Sequence, residues 1–211
     1  MENSTIVDHV LEKLVFVNRQ FYRLLLIVGP SERSRENIVN QVSEKINAPV
    51  VNISLDVSRQ LMELPEKQRP LKLTKILDSI RGWHPQPIHG QPDAVLSGTS
   101  SQRGRRPHPI HGKPDAALSG ASSQKLDEKT RLQMILGKDT FIFKNIELLF
   151  HAALKTDPMR LFKNISRNKT LIVAWNGVIK DNYLIYAAPG HPDYKKYPTN
   201  DLNFINLHDS S

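Results

Sequence analysis

The sequence predicts an α/β domain built on a doubly wound, mainly parallel sheet of about five strands. Two observations support this fold class. Short, unbroken apolar runs, such as residues 24–28 (LLLIV), are typical of strands that are buried on both faces. Between these runs lie segments whose apolar residues recur at intervals of three and four, which predicts helices. Alternation of strands with helices favours right-handed crossovers and therefore a parallel sheet.

The elements follow in a regular order. Residues 5–23 carry the apolar stripe of an amphipathic helix, and the strand over 24–28 ends at Gly29-Pro30. A helix begins near residues 31–34 and ends before Pro49. Further strands are predicted over 50–54, 140–143, 170–174 and 183–187, and further helices over 73–80, over 126–136 and from Asp157-Pro158 onward.

A tandem repeat interrupts this pattern. Residues 85–102 (PQPIHGQPDAVLSGTSSQ) recur as residues 107–124 (PHPIHGKPDAALSGASSQ). Two copies rich in Pro, Gly and Ser bury too little apolar surface to offset their ordering entropy. We therefore predict a disordered insertion over 84–124 in a single domain formed by residues 1–83 and 125–211. Its histidines (His84, His89, His108 and His111) lack the companions of a zinc module, so no metal site is assigned.

Composition narrows the class of protein. The chain has no cysteine, which excludes disulfides and thiolate metal sites. It has no apolar run of the roughly 18 residues needed to span a bilayer, and Glu2, Asp8 and Glu12 do not fit a secretion signal. We expect a cytoplasmic protein without a membrane partner. The net charge of +8 is spread along the chain, which favours a solvated basic surface, with weak or indirect DNA binding as the alternative.

Residues 29–36 (GPSERSRE) stand where a phosphate-binding loop would lie, directly after a buried strand and before a helix. In the pattern GxxxxGK[ST], backbone N–H groups surround phosphate, the Lys reaches the outer phosphates and the hydroxyl binds magnesium. Gly29 matches, whereas Ser34, Arg35 and Glu36 replace the second Gly, the Lys and the hydroxyl residue. The candidate nucleotide-binding residues are Gly29, Pro30, Ser31, Glu32, Arg33, Ser34, Arg35 and Glu36.

Other candidate site residues follow two later strands. Lys144 and Asn145 stand where a P-loop NTPase of this order carries the Asp that anchors magnesium. Glu147 is a candidate for polarising a water molecule, with a surface helix carboxylate as the alternative. Asn176 is a candidate γ-phosphate sensor, with a simple Trp175-Asn176-Gly177 turn as the alternative. ATP is thus a candidate ligand, magnesium binding is not expected, and hydrolysis is not assigned.

Several longer segments together carry a family resemblance. They are VGPSERS, APVVNISLDVSRQLMELPEKQRPLK, NIELLF, DPMRLFKNISRNKTLIVAWNG and YAAPGHPDYKKYP. They resemble the small P-loop protein family, BrxF, of type 3 BREX phage-defence systems, over about residues 10–83 and 126–200. That family's pattern has a GKT-type loop and an Asp at the position of Lys144, and this chain departs from both.

The resemblance implies a P-loop NTPase-like fold and a cytoplasmic bacterial protein. It also implies partners among the other BREX proteins, including a methyltransferase and larger ATPases, that together restrict phage DNA. The expected role is a nucleotide-binding or assembly-regulating subunit. The alternatives are a non-catalytic adaptor that binds protein partners without nucleotide, and a basic DNA-binding module.

Overall fold

The structure is a computed structural model that describes residues 2–79, 127–136 and 139–207. The predicted insertion over 84–124, with its four histidines, lies outside these ranges. The helices of the described residues are α1 (Glu2–Val17), α2 (Glu32–Ile46), α3 (Ile53–Met62), α4 (Arg69–Ser79), α5 (Glu128–Leu136) and α6 (Pro158–Ser166). The strands are β1 (Leu24–Gly29), β2 (Val50–Asn52), β3 (Thr140–Lys144), β4 (Thr170–Asn176), β5 (Val178–Lys180), β6 (Tyr183–Tyr186), β7 (Lys195–Pro198) and β8 (Asn203–Asn206). Short 3-10 turns span Glu66–Gln68, Glu147–Phe150 and Ala152–Leu154.

Five strands form one sheet in the order β2-β3-β4-β1-β8, and every neighbouring pair is parallel. The predicted α/β class with a parallel sheet of about five strands is therefore confirmed. Strand β1 lies between β4 and β8, and all six of its residues are buried. This position explains the unbroken apolar run at 24–28, because neither face of a covered central strand contacts water.

Helices cover both faces of this sheet. Leu25 and Ile27 of β1 pack with the apolar sides of α1, α2 and α5. Leu24, Leu26 and Val28 point to the opposite face and pack with α3, α4 and α6. Each such aliphatic side chain contributes about 1.5–3 kcal/mol when it is fully buried. The two cores together fix β1 in the middle of the domain and hold its carboxyl end in place.

Two details of the predicted topology are wrong. The strand predicted over 183–187 is not the fifth strand of the main sheet, because β6 pairs antiparallel with β5 and β7 in a separate sheet. The fifth place is taken by β8, whose sequence NFIN has too few apolar residues to be recognised as a strand. The strand predicted over 50–54 is also shorter. Asn52 ends β2 and caps α3, its side-chain oxygen accepting from the backbone N–H of Leu55 at 3.1 Å.

An aromatic cluster joins the small antiparallel sheet to the main one. The rings of Phe150 and Tyr186 are stacked with centroids 3.6 Å apart, and Trp175 meets both Phe150 and Tyr197 edge to face. Burial raises the pKa of Tyr186 to about 12. Burial also raises the pKa of Tyr197, and its hydrogen bond to Asp157 raises it further. Both hydroxyls therefore stay protonated in the folded protein at neutral pH.

Gly177 is required where β4 passes into β5. A β-carbon at this position would lie 2.0 Å from the carbonyl oxygen of Ile185 and 2.9 Å from Nε1 of Trp175. The first of these atoms belongs to the backbone of β6, so the chain can make room only if β5 and β6 separate.

We expect Gly177→Ala to lower the free energy of unfolding by about 3 kcal/mol, the upper range for overpacking, measured by urea denaturation. The matched control is Gly190→Ala. Gly190 has a φ of 91°, and a β-carbon added there would meet no atom within 4 Å, so its cost is backbone strain of about 1–2 kcal/mol. Equal losses in the two variants would contradict the steric role of Gly177.

Candidate functional site

The carboxyl ends of the parallel strands gather the predicted site residues from distant parts of the chain. Gly29 ends β1, Lys144 ends β3, and Asn176 ends β4. The N-terminus of α2 lies at the same edge because α2 follows β1. Ligands of open α/β sheets bind at this edge, so the predicted residues occupy the expected place.

The connection between β1 and α2 is short. Gly29 is the last residue of β1, and Glu32 is the first residue of α2, so Pro30 and Ser31 alone link them. Ser31 caps the helix, since its Oγ accepts from the N–H of Ser34 at 3.3 Å and its carbonyl accepts from the N–H of Arg35 at 3.2 Å. Residues 32–36 are therefore helical, and the N–H groups of Ser34 and Arg35 are already paired with Ser31.

Gly29 is explained by packing. A β-carbon at this position would lie 3.0 Å from Cβ of Leu207 and 3.3 Å from the carbonyl oxygen of the same residue. Leu207 follows β8 and donates its N–H to the carbonyl of Val28 at 2.7 Å. The glycine thus permits a close approach between two neighbouring chain segments, a requirement that the sequence pattern alone does not distinguish from phosphate binding.

Arg35 points into the protein. Its side chain is 6% exposed, and its Nη1 donates a hydrogen bond to the carbonyl oxygen of Gly29. Burial lowers the pKa of the guanidinium, and the nearby carboxylate of Glu147, followed by those of Glu32 and Glu36, opposes this shift. An arginine remains charged despite such a shift. The residue at the lysine position of the motif is thus committed to the backbone of its own domain.

Glu36 and Lys144, which replace the two expected magnesium ligands, bind each other. Nζ of Lys144 lies 2.8 Å from Oε1 of Glu36 and connects α2 to the end of β3. The hydrogen bond and the positive charge of Lys144 hold the pKa of the Glu36 carboxyl below its usual range. The Glu36 carboxylate consequently stays ionised at neutral pH. The two departures from the motif are one interaction in the folded chain.

Asn145 turns the chain so that Glu147 joins this group. Its φ is 52°, and its carbonyl accepts from the N–H of Ser54 at 2.8 Å and from the Ser54 hydroxyl. The same hydroxyl accepts from the N–H of Leu148 at 3.4 Å. Ser54 was not among the predicted site residues, because nothing in its local sequence indicates a partner so distant in the chain.

Little space remains among these side chains. A cavity of about 10 Å³ lies among five charged side chains, and it is about the smallest that can hold one water molecule. The five are Glu32, Arg35, Glu36, Lys144 and Glu147. Three of the five are carboxylates and two are cations, so their formal charges leave a negative excess. Small-molecule sites usually measure about 300–1,000 Å³. The arrangement resembles an internally paired polar cluster more than an open anion site.

The remaining predicted residues lie around this cluster without entering it. Pro30, Arg33 and Ser34 are exposed on the first turn of α2 or just before it. Asn176 is paired with Gly29 in the register of β1 and β4. It is the last residue of β4, and the residues that surround the small cavity do not include it.

A larger groove lies between α3, the start of α4 and the turns at 147–154. Its volume is about 850 Å³, and its apolar wall includes Leu61, Met62, Leu71 and Leu154. None of the predicted site residues lines it.

Within the described ranges, no group of three or more His, Asp or Glu side chains is placed to hold a metal ion. The helices of the same residues include none with the length and apolar character of a membrane span.

Comparison with protein-family models, curated proteins and solved structures finds no match to this chain.

The inward position of Arg35 makes it a structural residue. We expect Arg35→Ala to lower the free energy of unfolding by about 2 kcal/mol, because the Gly29 carbonyl loses a charged hydrogen-bond donor in a buried position. Arg33→Ala is the matched control on the same helical turn, and we expect it to change stability by less than about 0.5 kcal/mol because Arg33 is exposed. Chemical denaturation measures both. An Arg35 variant as stable as the wild type would show that the side chain is free to serve a ligand.

Proposed function

We propose that this chain is a non-hydrolysing adaptor subunit of a BREX-type phage-defence assembly, in which a P-loop-like domain binds protein partners. The observation that carries the proposal is the inward hydrogen bond from Arg35 to the Gly29 carbonyl. With this contact in place, the side chain at the lysine position of the motif is paired with the protein's own backbone, which supports a role without nucleotide. The assignment to a BREX-type system rests on the sequence resemblance.

Electrostatics also supports a role without nucleotide. A triphosphate at this edge would meet the carboxylates of Glu32, Glu36 and Glu147. It would have to separate Glu36 from Lys144 and displace Arg35 from the Gly29 carbonyl. Glu32 also lies in the first turn of α2, where a negative charge already interacts with the helix dipole. These features oppose the binding of a polyanion.

A nucleotide-regulated switch is the second candidate. It is favoured by one observation, the convergence of residues 29–36 and 144–147 at the carboxyl edge of the sheet beside a helix N-terminus. In this alternative, Arg35 would leave the Gly29 carbonyl and pair with phosphate. ATP would then be the ligand and magnesium would have no dedicated side chain.

Calorimetry distinguishes the two candidates. We expect no heat of binding when ATP or ADP is added to about 1 mM, with or without magnesium. A dissociation constant of about 1 mM corresponds to a binding free energy of about −4 kcal/mol. Submillimolar binding that Arg35→Ala abolishes and Arg33→Ala preserves would overturn the adaptor proposal in favour of the switch.

The large groove is the surface on which we place the adaptor's partner. Its wall is apolar, and the charged residues at its border are Lys67, Arg69, Lys155 and Glu66. Arg69 is fixed there, since its Nε donates to the carbonyls of Leu61 and Leu64 at 3.1 Å. An apolar wall with a predominantly positive border complements an amphipathic helix whose polar face is acidic. The proposed occupant is such a helix from another BREX-type protein.

A matched pair of exposed methionines tests this placement. Met62 in the groove is 78% exposed and Met134 on α5 is 70% exposed, so Met→Glu at each position adds the same charge to a similar surface. We expect Met62→Glu to reduce co-purification with the BREX-type proteins of the same genome by about tenfold or more, because its carboxylate would face the acidic partner. We expect Met134→Glu to leave this co-purification unchanged. Equal behaviour of the two variants, or no such partner for the wild type, would contradict the proposal.

A further inference from the structure

Two adjacent aromatic residues, one exposed and one half-buried, lie at the opposite end of the sheet. Phe21 and Tyr22 belong to the connection between α1 and β1, just before the first residue of β1. Phe21 is 71% exposed, and its ring centroid is 4.8 Å from that of Tyr22 at an angle of 75°. Because β1 ends at Gly29, the length of this strand separates these rings from the polar cluster of Arg35, Glu36 and Lys144.

Basic side chains surround the two rings. The Arg167 guanidinium lies 5.5 Å from the ring centroid of Phe21 and 5.7 Å from that of Tyr22. Nζ of Lys163 lies 5.6 Å from the ring centroid of Tyr22. Arg23 donates from Nη2 to the carbonyl of Arg167 at 3.2 Å. We call the set Phe21, Tyr22, Arg23, Lys163 and Arg167 the aromatic platform.

The positive charge of the platform is not neutralised by ion pairs within the described residues. The nearby Lys169 is paired with Asp139 at 3.1 Å, but none of the ion pairs among residues 2–79, 127–136 and 139–207 includes Arg23, Lys163 or Arg167. Asp201 lines the small cavity of about 170 Å³ that adjoins Phe21 and Lys163. The platform therefore combines three cations with one carboxylate at its border.

The backbone that presents the rings is held in place from both sides. The N–H of Arg23 donates to the carbonyl of Ser166 at 3.0 Å, which ties the connection to the end of α6. On the other side, the carbonyl of Arg23 accepts from the N–H of Leu171 at 2.8 Å. An aromatic pair on a fixed backbone loses less entropy on binding than one on an unattached loop.

We propose that the aromatic platform binds single-stranded nucleic acid with little sequence preference. Base stacking on an aromatic side chain contributes about 1–3 kcal/mol per base, and arginine planes offer a further stacking surface. The cations supply contacts to the phosphates. A duplex fits less well, because its bases are stacked on each other and cannot reach Phe21 without unpairing. This inference does not depend on the adaptor function or on the groove.

The test is fluorescence anisotropy with a labelled oligo(dT) of about 15 nucleotides, a length within the range that one small domain covers. The wild-type chain is expected to bind at low ionic strength and to lose affinity steeply as salt increases. Phe21→Ala is expected to weaken binding by about 5-fold to 150-fold, the equivalent of one lost stacking contact. The matched control is Tyr183→Ala, which removes another exposed aromatic ring that lies 3.8 Å from a lysine, Lys196.

A second pair of variants tests the phosphate contacts. We expect Arg167→Ala to reduce the slope of log affinity against log salt by about 0.7, the value for one phosphate contact on a single strand, and the exposed Arg33→Ala to leave the slope unchanged. Thermal melting of each variant confirms that it is folded. Three results would overturn the proposal: no binding at low salt, weakening by Tyr183→Ala in place of Phe21→Ala, or equal affinity for a duplex. Competition by oligoglutamate as effective as that by unlabelled oligo(dT) would also overturn it, because it would identify a general polyanion surface.

Discussion

The buried central strand β1 is the constraint on which the rest of the domain depends. Its faces are covered by two helical layers, and its edges are hydrogen bonded to β4 and β8. At its carboxyl end the backbone polar groups still need partners, since buried carbonyls are rarely left unpaired. Arg35 supplies the donor for the carbonyl of Gly29, and the N–H of Leu207 supplies the donor for Val28. The candidate site is closed by the same contacts that complete the central strand.

Glu36 and Lys144 show how two departures from a motif can share one physical cause. Each alone would place an unmatched charge at a partly buried edge of the sheet. Together they form a hydrogen-bonded ion pair that links α2 to β3. Replacing either side chain would leave the other without its partner in this pair. The two positions are therefore expected to change together.

The sequence predicts those features of the fold that depend on continuous apolar patterns. Strands β1 and β4 are recognisable because both of their faces are buried, and α2 because its apolar residues repeat at helical spacing. Strand β8 escapes recognition because it is an edge strand with few apolar residues, and its pairing with β1 leaves no local pattern in its sequence. The place of the candidate site follows from strand order. The ion pair within the site cannot be predicted in this way, because Glu36 and Lys144 are 108 residues apart and no local spacing relates them.

The contacts at the carboxyl edge belong to the architecture of the sheet. In an open α/β sheet the strand ends provide the binding crevice, and here the Glu36–Lys144 ion pair and the inward Arg35 lie at that edge. Two other surfaces are not covered by the packing of the sheet. They are the apolar groove beside α3 and α4 and the surface around the exposed Phe21 before β1. Exposed Met62 and Phe21 add no core packing, and neither is needed to satisfy a backbone group. The polar cluster at the strand ends, by contrast, completes hydrogen bonds of the fold, because Arg35 pairs with the Gly29 carbonyl and Lys144 pairs with Glu36.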